Sequence, residues 1–245
     1  MREDADMTAA TSAGIAAYKR NGFAVVDIFD PAEVARIEAF ALAWVQALLG
    51  LSGGDTTTNP IGTYHAWAAC LPPEHRGALR ATNRHTCPPA ELARDLLNPR
   101  LMDFLSALEP GPWRLWDEGL GWLGFRLVRP GCSDGYPLSC KAWGPAKQVV
   151  SVWVPVTGRQ APATLALVPG SHQQNFQKYL PTDGKFAANE YRLAEPAEGL
   201  ILHRPDLRPT EALFFHPRVL HTEDVSEGDI TRLSLEFRFL PPSAV

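Results

Sequence analysis

Hydrophobic and polar residues change their period twice along this chain. Residues 1 to about 10 are small and polar, and the sequence predicts disorder there. A helix is predicted over Ala13 to Asn21, stopped by Gly22 and followed by the β-branched and aromatic run Phe23 to Phe29, which reads as a strand. Asp30, Pro31 and Glu33 then supply the N-cap, the N1 proline and the N3 glutamate of a helix start. Val34, Ile37, Phe40, Ala41, Trp44, Val45 and Leu48 recur at helical spacing, which predicts an amphipathic helix of about five turns. From Ser52 to Pro112 the breakers Gly53-Gly54, Asn59-Pro60, Pro72-Pro73 and Pro88-Pro89 divide the chain, leaving helices at Ala90 to Leu97 and Pro99 to Leu108.

From Gly121 onward the period becomes that of strands. They are predicted at Trp122 to Val128, Lys147 to Pro155, Thr164 to Pro169, Leu200 to His203, Ala212 to His216 and Thr231 to Leu240. Helices first and strands after predict one mainly β domain over residues 1–245. Its helix-rich outer layer would span residues 11–112 and cover an antiparallel barrel core over 113–245. The last strand is the most legible. Alternation places Arg232, Ser234, Glu236 and Arg238 on one face and Leu233, Leu235, Phe237 and Phe239 on the other. The apolar face should meet helices or a second sheet. Buried charges without partners cost several kcal/mol, so the polar face should line a polar cavity.

Composition narrows the function. With 45% hydrophobic and 20% charged residues, a net charge of −4 and a pI of about 6.0, the chain has no basic footprint for nucleic acid, and a small-molecule partner is expected. The apolar stretch from Ile37 to Leu51 carries Glu38 and Gln46 and is too short for a membrane span. The acidic start has no apolar core of a secretion signal, so a cytoplasmic location is expected. Cys70, Cys87, Cys132 and Cys140 are widely spaced and form no zinc-binding pattern, which suits free thiols in a reducing compartment.

Several phrases together resemble the phytanoyl-CoA dioxygenase family of non-haem Fe(II), 2-oxoglutarate-dependent oxygenases. They are Tyr18 to Val26, Val152-Trp-Val-Pro-Val156, Leu167-Val-Pro-Gly-Ser-His172, and Phe214 to His221 with Arg232 beyond. The resemblance covers about residues 15 to 241 and implies a double-stranded β-helix, the jelly-roll or cupin-like barrel. It implies that His221 is the distal histidine of an iron site and that Arg232 grips the far carboxylate of 2-oxoglutarate, with Arg238 on the same face as a second cofactor-binding candidate. A neutral imidazole suits Fe(II), and a guanidinium fork matches a carboxylate. The plain alternative is that His221 caps a strand end and Arg232 pairs with Glu236. His172 and His216 also fall at family positions. The first is expected to hydrogen-bond a turn, and the second to face away from His221.

One departure changes the expected chemistry. The family supplies its other ligands as His-x-Asp or His-x-Glu, yet here the loop reads Cys132-Ser-Asp134-Gly-Tyr136-Pro-Leu-Ser139-Cys140-Lys141-Ala142-Trp143. One register puts Ser139 and Lys141 at the ligand positions, a second puts Cys140 and Ala142 there, and a third keeps Asp134 with cysteine in place of the histidine. Three readings follow. Asp134, His65 or Glu223, two residues after His221, completes an iron site. Alternatively, iron is lost and Lys141 acts as a fixed charge, a general acid/base or an imine-forming amine, beside Ser139 and Asp134 as catalytic candidates. In the third reading the chain is a ligand-binding or partner subunit. Lys141, Arg126, Arg129, Tyr136 and Trp143 predict a pocket for an anionic or hydroxyl-rich ligand, with Tyr64, Trp67 and Trp143 as flat surfaces. The loop phrases Asp-Gly-Tyr-Pro and Lys-x-Trp-Gly-Pro resemble chains of bacterial surface-sugar pathways, which implies an activated sugar as substrate.

Overall fold

The computed structural model describes residues 2–48, 61–66, 83–117, 121–131, 139–141, 149–160, 163–176, 178–179, 190–193, 199–222 and 229–244. The helices are α1 (Arg2–Asn21), α2 (Pro31–Leu48), α3 (Ala90–Leu96) and α4 (Pro99–Leu108). The strands are β1 (Phe23–Asp27), β2 (Asn83–Thr86), β3 (Arg114–Leu115), β4 (Leu123–Val128), β5 (Ser139–Lys141), β6 (Val150–Pro155), β7 (Ala166–Leu167), β8 (Lys178–Tyr179), β9 (Glu190–Leu193), β10 (Glu211–Phe215), β11 (His221–Thr222) and β12 (Arg232–Leu240).

Two antiparallel sheets result. A seven-stranded sheet runs β1-β10-β6-β12-β4-β2, with β3 paired to the end of β12, and a five-stranded sheet runs β7-β11-β5-β9-β8. The first sheet draws β1 and β2 from the segment expected to form only an outer layer. The strand β2 was not foreseen, because Asn83-Arg-His-Thr shows no apolar alternation. Conversely, Leu200 to His203 does not form the expected strand and contributes only the isolated bridge between His203 and Leu167.

The helix α1 starts at Arg2 rather than Ala13, and so includes the stretch expected to be disordered. Its opening is rich in alanine, has acidic residues at the start and contains no proline, all of which favour a helix N-terminus. Gly22 ends it with φ +83, donating its N–H to the Tyr18 carbonyl at 2.7 Å. A Cβ there would come within 2.5 Å of His172 Nδ1, so glycine is required for both the turn and the close approach. The helix α2 begins as its sequence predicts. Asp30 Oδ1 accepts from the Glu33 N–H at 2.8 Å and Glu33 Oε2 from the Asp30 N–H at 2.7 Å, a reciprocal capping box.

The two faces of the larger sheet bury different chemistry. Leu233, Leu235, Phe237 and Phe239 join Leu123, Phe125, Leu127, Val152 and Val154 in a core with Ile37, Ala41 and Val45 of α2 and Leu101, Phe104 and Leu105 of α4. Trp44 stacks on Phe125 with ring centres 4.2 Å apart, and Phe104 packs on Phe214 at 4.6 Å. Full burial of each such side chain contributes roughly 1.5–3 kcal/mol, so this helix-on-sheet seam dominates the packing. Tyr64, expected to offer a binding surface, is 1% exposed inside this same core. On the other face, Phe23, Trp153, Leu213 and Phe215 pack with Leu167 of the smaller sheet, and so the two sheets meet there. No helix among the described residues is long and apolar enough to cross a membrane.

Candidate functional site

The smaller sheet shows which residues of β5 share a face with His221. His221 on β11 lies directly across from Leu167 on one side and from Ser139 on the other. Residues opposite one another in an antiparallel ladder share a face, and so does Lys141, two positions along β5. Cys140 lies on the opposite face, fully buried against Val168 and Leu220. Strand alternation turns the Cys140 thiol away from His221, which does not favour the reading that puts it at a ligand position. Asp134 and Glu223 lie outside the described residues, as do Tyr136, Trp67 and Trp143.

His221 itself is enclosed and held in place. It is 8% exposed, its ring lies 5.0 Å from that of Phe215, and its Nδ1 is 2.8 Å from the Val219 carbonyl oxygen. A carbonyl only accepts, so Nδ1 carries a proton, and whenever the ring is neutral the lone pair falls on Nε2. A metal-ligating histidine has the same arrangement.

The opposing face of the larger sheet is polar and buried. Arg232 is 0% exposed; its Nη1 donates to the Ala163 carbonyl at 2.9 Å, and its guanidinium lies 5.9 Å from the centre of the Trp153 ring. Gly158, with φ +67, makes room for it, since a Cβ there would stand 2.9 Å from Arg232 Cγ. Glu236 pairs with Arg238 at 2.5 Å and with Arg126 at 3.3 Å, not with Arg232 as the structural alternative had it. Arg232 and Arg238 are separated by six residues of extended strand, roughly 20 Å, so they cannot grip one small carboxylate together. Among the described residues, Ser151 Oγ, Trp153 Nε1, Thr164 Oγ1 and Ser234 Oγ are buried and make no hydrogen bond.

The remaining histidines sit elsewhere. His65 places Nδ1 3.0 Å from Thr231 Oγ1, at the start of β12. His172 and His216 face each other with ring centres 5.6 Å apart. His216 Nδ1 accepts the Arg218 N–H at 3.1 Å. Burial, followed by the neighbouring His172 and Arg218, holds the His216 pKa down at about 4, and burial also lowers that of His172.

These residues do not fit a three-ligand iron site. Among the described residues no group of three His, Cys, Asp or Glu side chains could hold a metal. The positions sharing His221's face on β5 carry a serine and a lysine, and an ammonium beside a divalent cation repels it. The register also adds residues that the sequence alone did not single out. Arg192 lies across from Ser139 and Glu190 across from Lys141 on β9. The four residues Glu190-Tyr-Arg-Leu are too few for alternation to mark a strand, and nothing local named its partner.

No family model and no curated protein matches the sequence. Solved structures do match its fold, among them a non-heme alpha ketoglutarate dependent epimerase. The epimerase SnoN, solved with Fe3+, alpha ketoglutarate and nogalamycin RO, is 18% identical over 96% of this chain and 84% of its own, with a TM-score of 0.62. AviO1 from Streptomyces viridochromogenes Tue57 is 16% identical over 96% of both chains, with a TM-score of 0.61. HygX from Streptomyces hygroscopicus, solved with nickel and 2-oxoglutarate, is 16% identical over 94% of this chain and 87% of its own, with a TM-score of 0.56. At these identities the likeness is one of fold.

Proposed function

We propose that this protein is a divergent, phytanoyl-CoA dioxygenase-like enzyme with an altered metal centre, whose two sheets close into a barrel around a small anionic or hydroxyl-rich metabolite such as an activated sugar. The observation that carries this reading is the pairing of His221 with Ser139, with Lys141 on the same face. A three-ligand iron site needs an imidazole and a carboxylate at those two positions. A serine and a lysine there supply a hydroxyl and a cation, which suit a ligand's oxygen atoms. Arg232, enclosed by Gly158, Ala163 and Trp153, supplies a second cation for a carboxylate. In this site Lys141 holds the ligand's negative charge or moves a proton.

A second reading keeps iron, with Asp134 or Glu223 completing the site, and the bond from His221 Nδ1 to the Val219 carbonyl is the observation that favours it. Metal analysis and calorimetric binding of 2-oxoglutarate on anaerobically purified protein separate the two. The proposed reading expects no stoichiometric iron, turnover that survives chelation, and 2-oxoglutarate or a related carboxylate bound in an Arg232-dependent way. Stoichiometric iron that disappears in His221→Ala would overturn it in favour of the second. With neither iron nor any turnover, a binding subunit would remain.

A further inference from the structure

A cleft of about 270 Å3 opens on the helix-covered side of the larger sheet, between the end of α1, the end of α4, the start of β6 and the segment after β12. Tyr18, Lys19, Val150 and His216 stand on its walls. Alternation along β6 turns Val150 toward the helices, while Trp153 packs with Phe215 on the other face, so the sheet divides this cleft from His221 and Arg232. The frame of the cleft is held by bonds within the chain. Glu109 accepts the Ser243 N–H at 2.7 Å on one oxygen and the Ser243 hydroxyl at 3.0 Å on the other, and Trp113 Nε1 donates to the Glu109 carbonyl at 3.0 Å.

The groups left open on those walls are donors. The Tyr18 hydroxyl has no hydrogen-bond partner among the described residues, and burial alone raises its pKa, so it keeps its proton. His216 Nδ1 accepts the Arg218 N–H, which leaves the proton of the neutral ring on Nε2. Burial, followed by His172 and Arg218, holds the His216 pKa down at about 4, so this ring is neutral at ordinary pH. Lys19 adds a cation, and the acid on the wall, Glu109, already gives both oxygens to Ser243. Two neutral donors beside one lysine call for an acceptor that carries a single negative charge, which suits a carboxylate better than a phosphate dianion. Leu108, Trp113, Val150 and Pro241 make the rest of the wall apolar, and the volume falls at the small end of ligand pockets. An acid with an apolar body meets both conditions.

We propose that the cleft walled by Tyr18, Lys19 and His216 is a second ligand site, outside the space between the two sheets, for a small organic carboxylate with an apolar body. The test is calorimetry with benzoate, benzyl alcohol and inorganic phosphate as separate probes, in the wild type, Tyr18→Phe and Arg232→Ala. The wild type should bind benzoate, and benzyl alcohol and phosphate at least about tenfold more weakly. Tyr18→Phe should lose about tenfold in benzoate affinity, whereas Arg232→Ala should keep it. Ligand-free Tyr18→Phe should melt no lower than the wild type, because it loses only an unpartnered hydroxyl. The proposal is overturned if the wild type binds no benzoate, if benzyl alcohol or phosphate binds as tightly, or if Tyr18→Phe leaves benzoate binding unchanged. Binding that disappears in Arg232→Ala would also overturn it, by placing benzoate between the sheets. Should Arg232→Ala not fold, Tyr18→Phe decides the matter by itself. The function proposed above is read from iron content and Arg232-dependent binding, so failure here leaves it standing.

Discussion

Ser139 lies directly across the β5–β11 ladder from His221, one strand spacing away and on the same face of the sheet. Opposite residues in such a ladder hold their Cβ atoms roughly 4.5–5.5 Å apart, within reach of a shared metal ion. The double substitution Ser139→His with Lys141→Asp should therefore create a metal site around His221. The variant is expected to take up Ni(II) or Fe(II) near one equivalent, and the further change His221→Ala should abolish that uptake. Elemental analysis after gel filtration reads both; uptake unaffected by His221→Ala would contradict the register.

Glu236 is the shared partner of Arg126 and Arg238, and all three side chains are largely buried. Glu236→Gln keeps the shape and removes the charge, leaving two guanidinium groups enclosed beside a neutral amide. The expected loss is about 3–5 kcal/mol, measured by urea unfolding. A loss below about 1 kcal/mol would mean that water reaches the cluster and screens it.

Gly158 adopts φ +67 against the stem of Arg232. Gly158→Ala sets a Cβ in an unfavourable backbone region and within 2.9 Å of Arg232 Cγ. It should cost about 1–2 kcal/mol in unfolding experiments and weaken carboxylate binding along with Arg232→Ala. Binding that is lost in Arg232→Ala but untouched in Gly158→Ala would show that the guanidinium keeps its place without the glycine.

The paired histidines predict how stability depends on pH. Both have lower pKa values in the folded chain than the ordinary 6.5, so the unfolded chain binds protons first as the pH falls. Stability is fully present above about 6.5 and is lost as the pH drops toward about 4, where the contribution of His216 levels off. The loss over that window should be on the order of 2 kcal/mol, and His216→Gln should reduce it. A melting temperature that stays flat from pH 7 to 4.5 would contradict the burial of these rings.

Much of this architecture was written in local patterns. The capping box at Asp30 and Glu33, the helical spacing from Val34 to Leu48, and the two faces of β12 each depend on residues a few positions apart, and each appears as the sequence predicts. The phrases that resemble an oxygenase family pointed to a fold that the solved structures share. The short strands were less legible. With two to four residues each, β2, β5, β8, β9 and β11 are too brief for alternation to register, and their pairing supplies what their sequence lacks.

The sequence by itself determined that Arg232 opens the last strand a short way beyond His221, that the polar face of β12 needs an enclosed polar environment, and that no His-x-Asp pair precedes them. Only the tertiary structure decided that Ser139 and Lys141 share His221's face while Cys140 turns away, that Glu236 serves Arg126 and Arg238, and that Ser151 and Trp153 are enclosed without partners. The reason is physical. Which face a residue takes along one strand follows from local alternation, but which residue it meets depends on how distant segments align across the ladder, and no local pattern specifies that alignment.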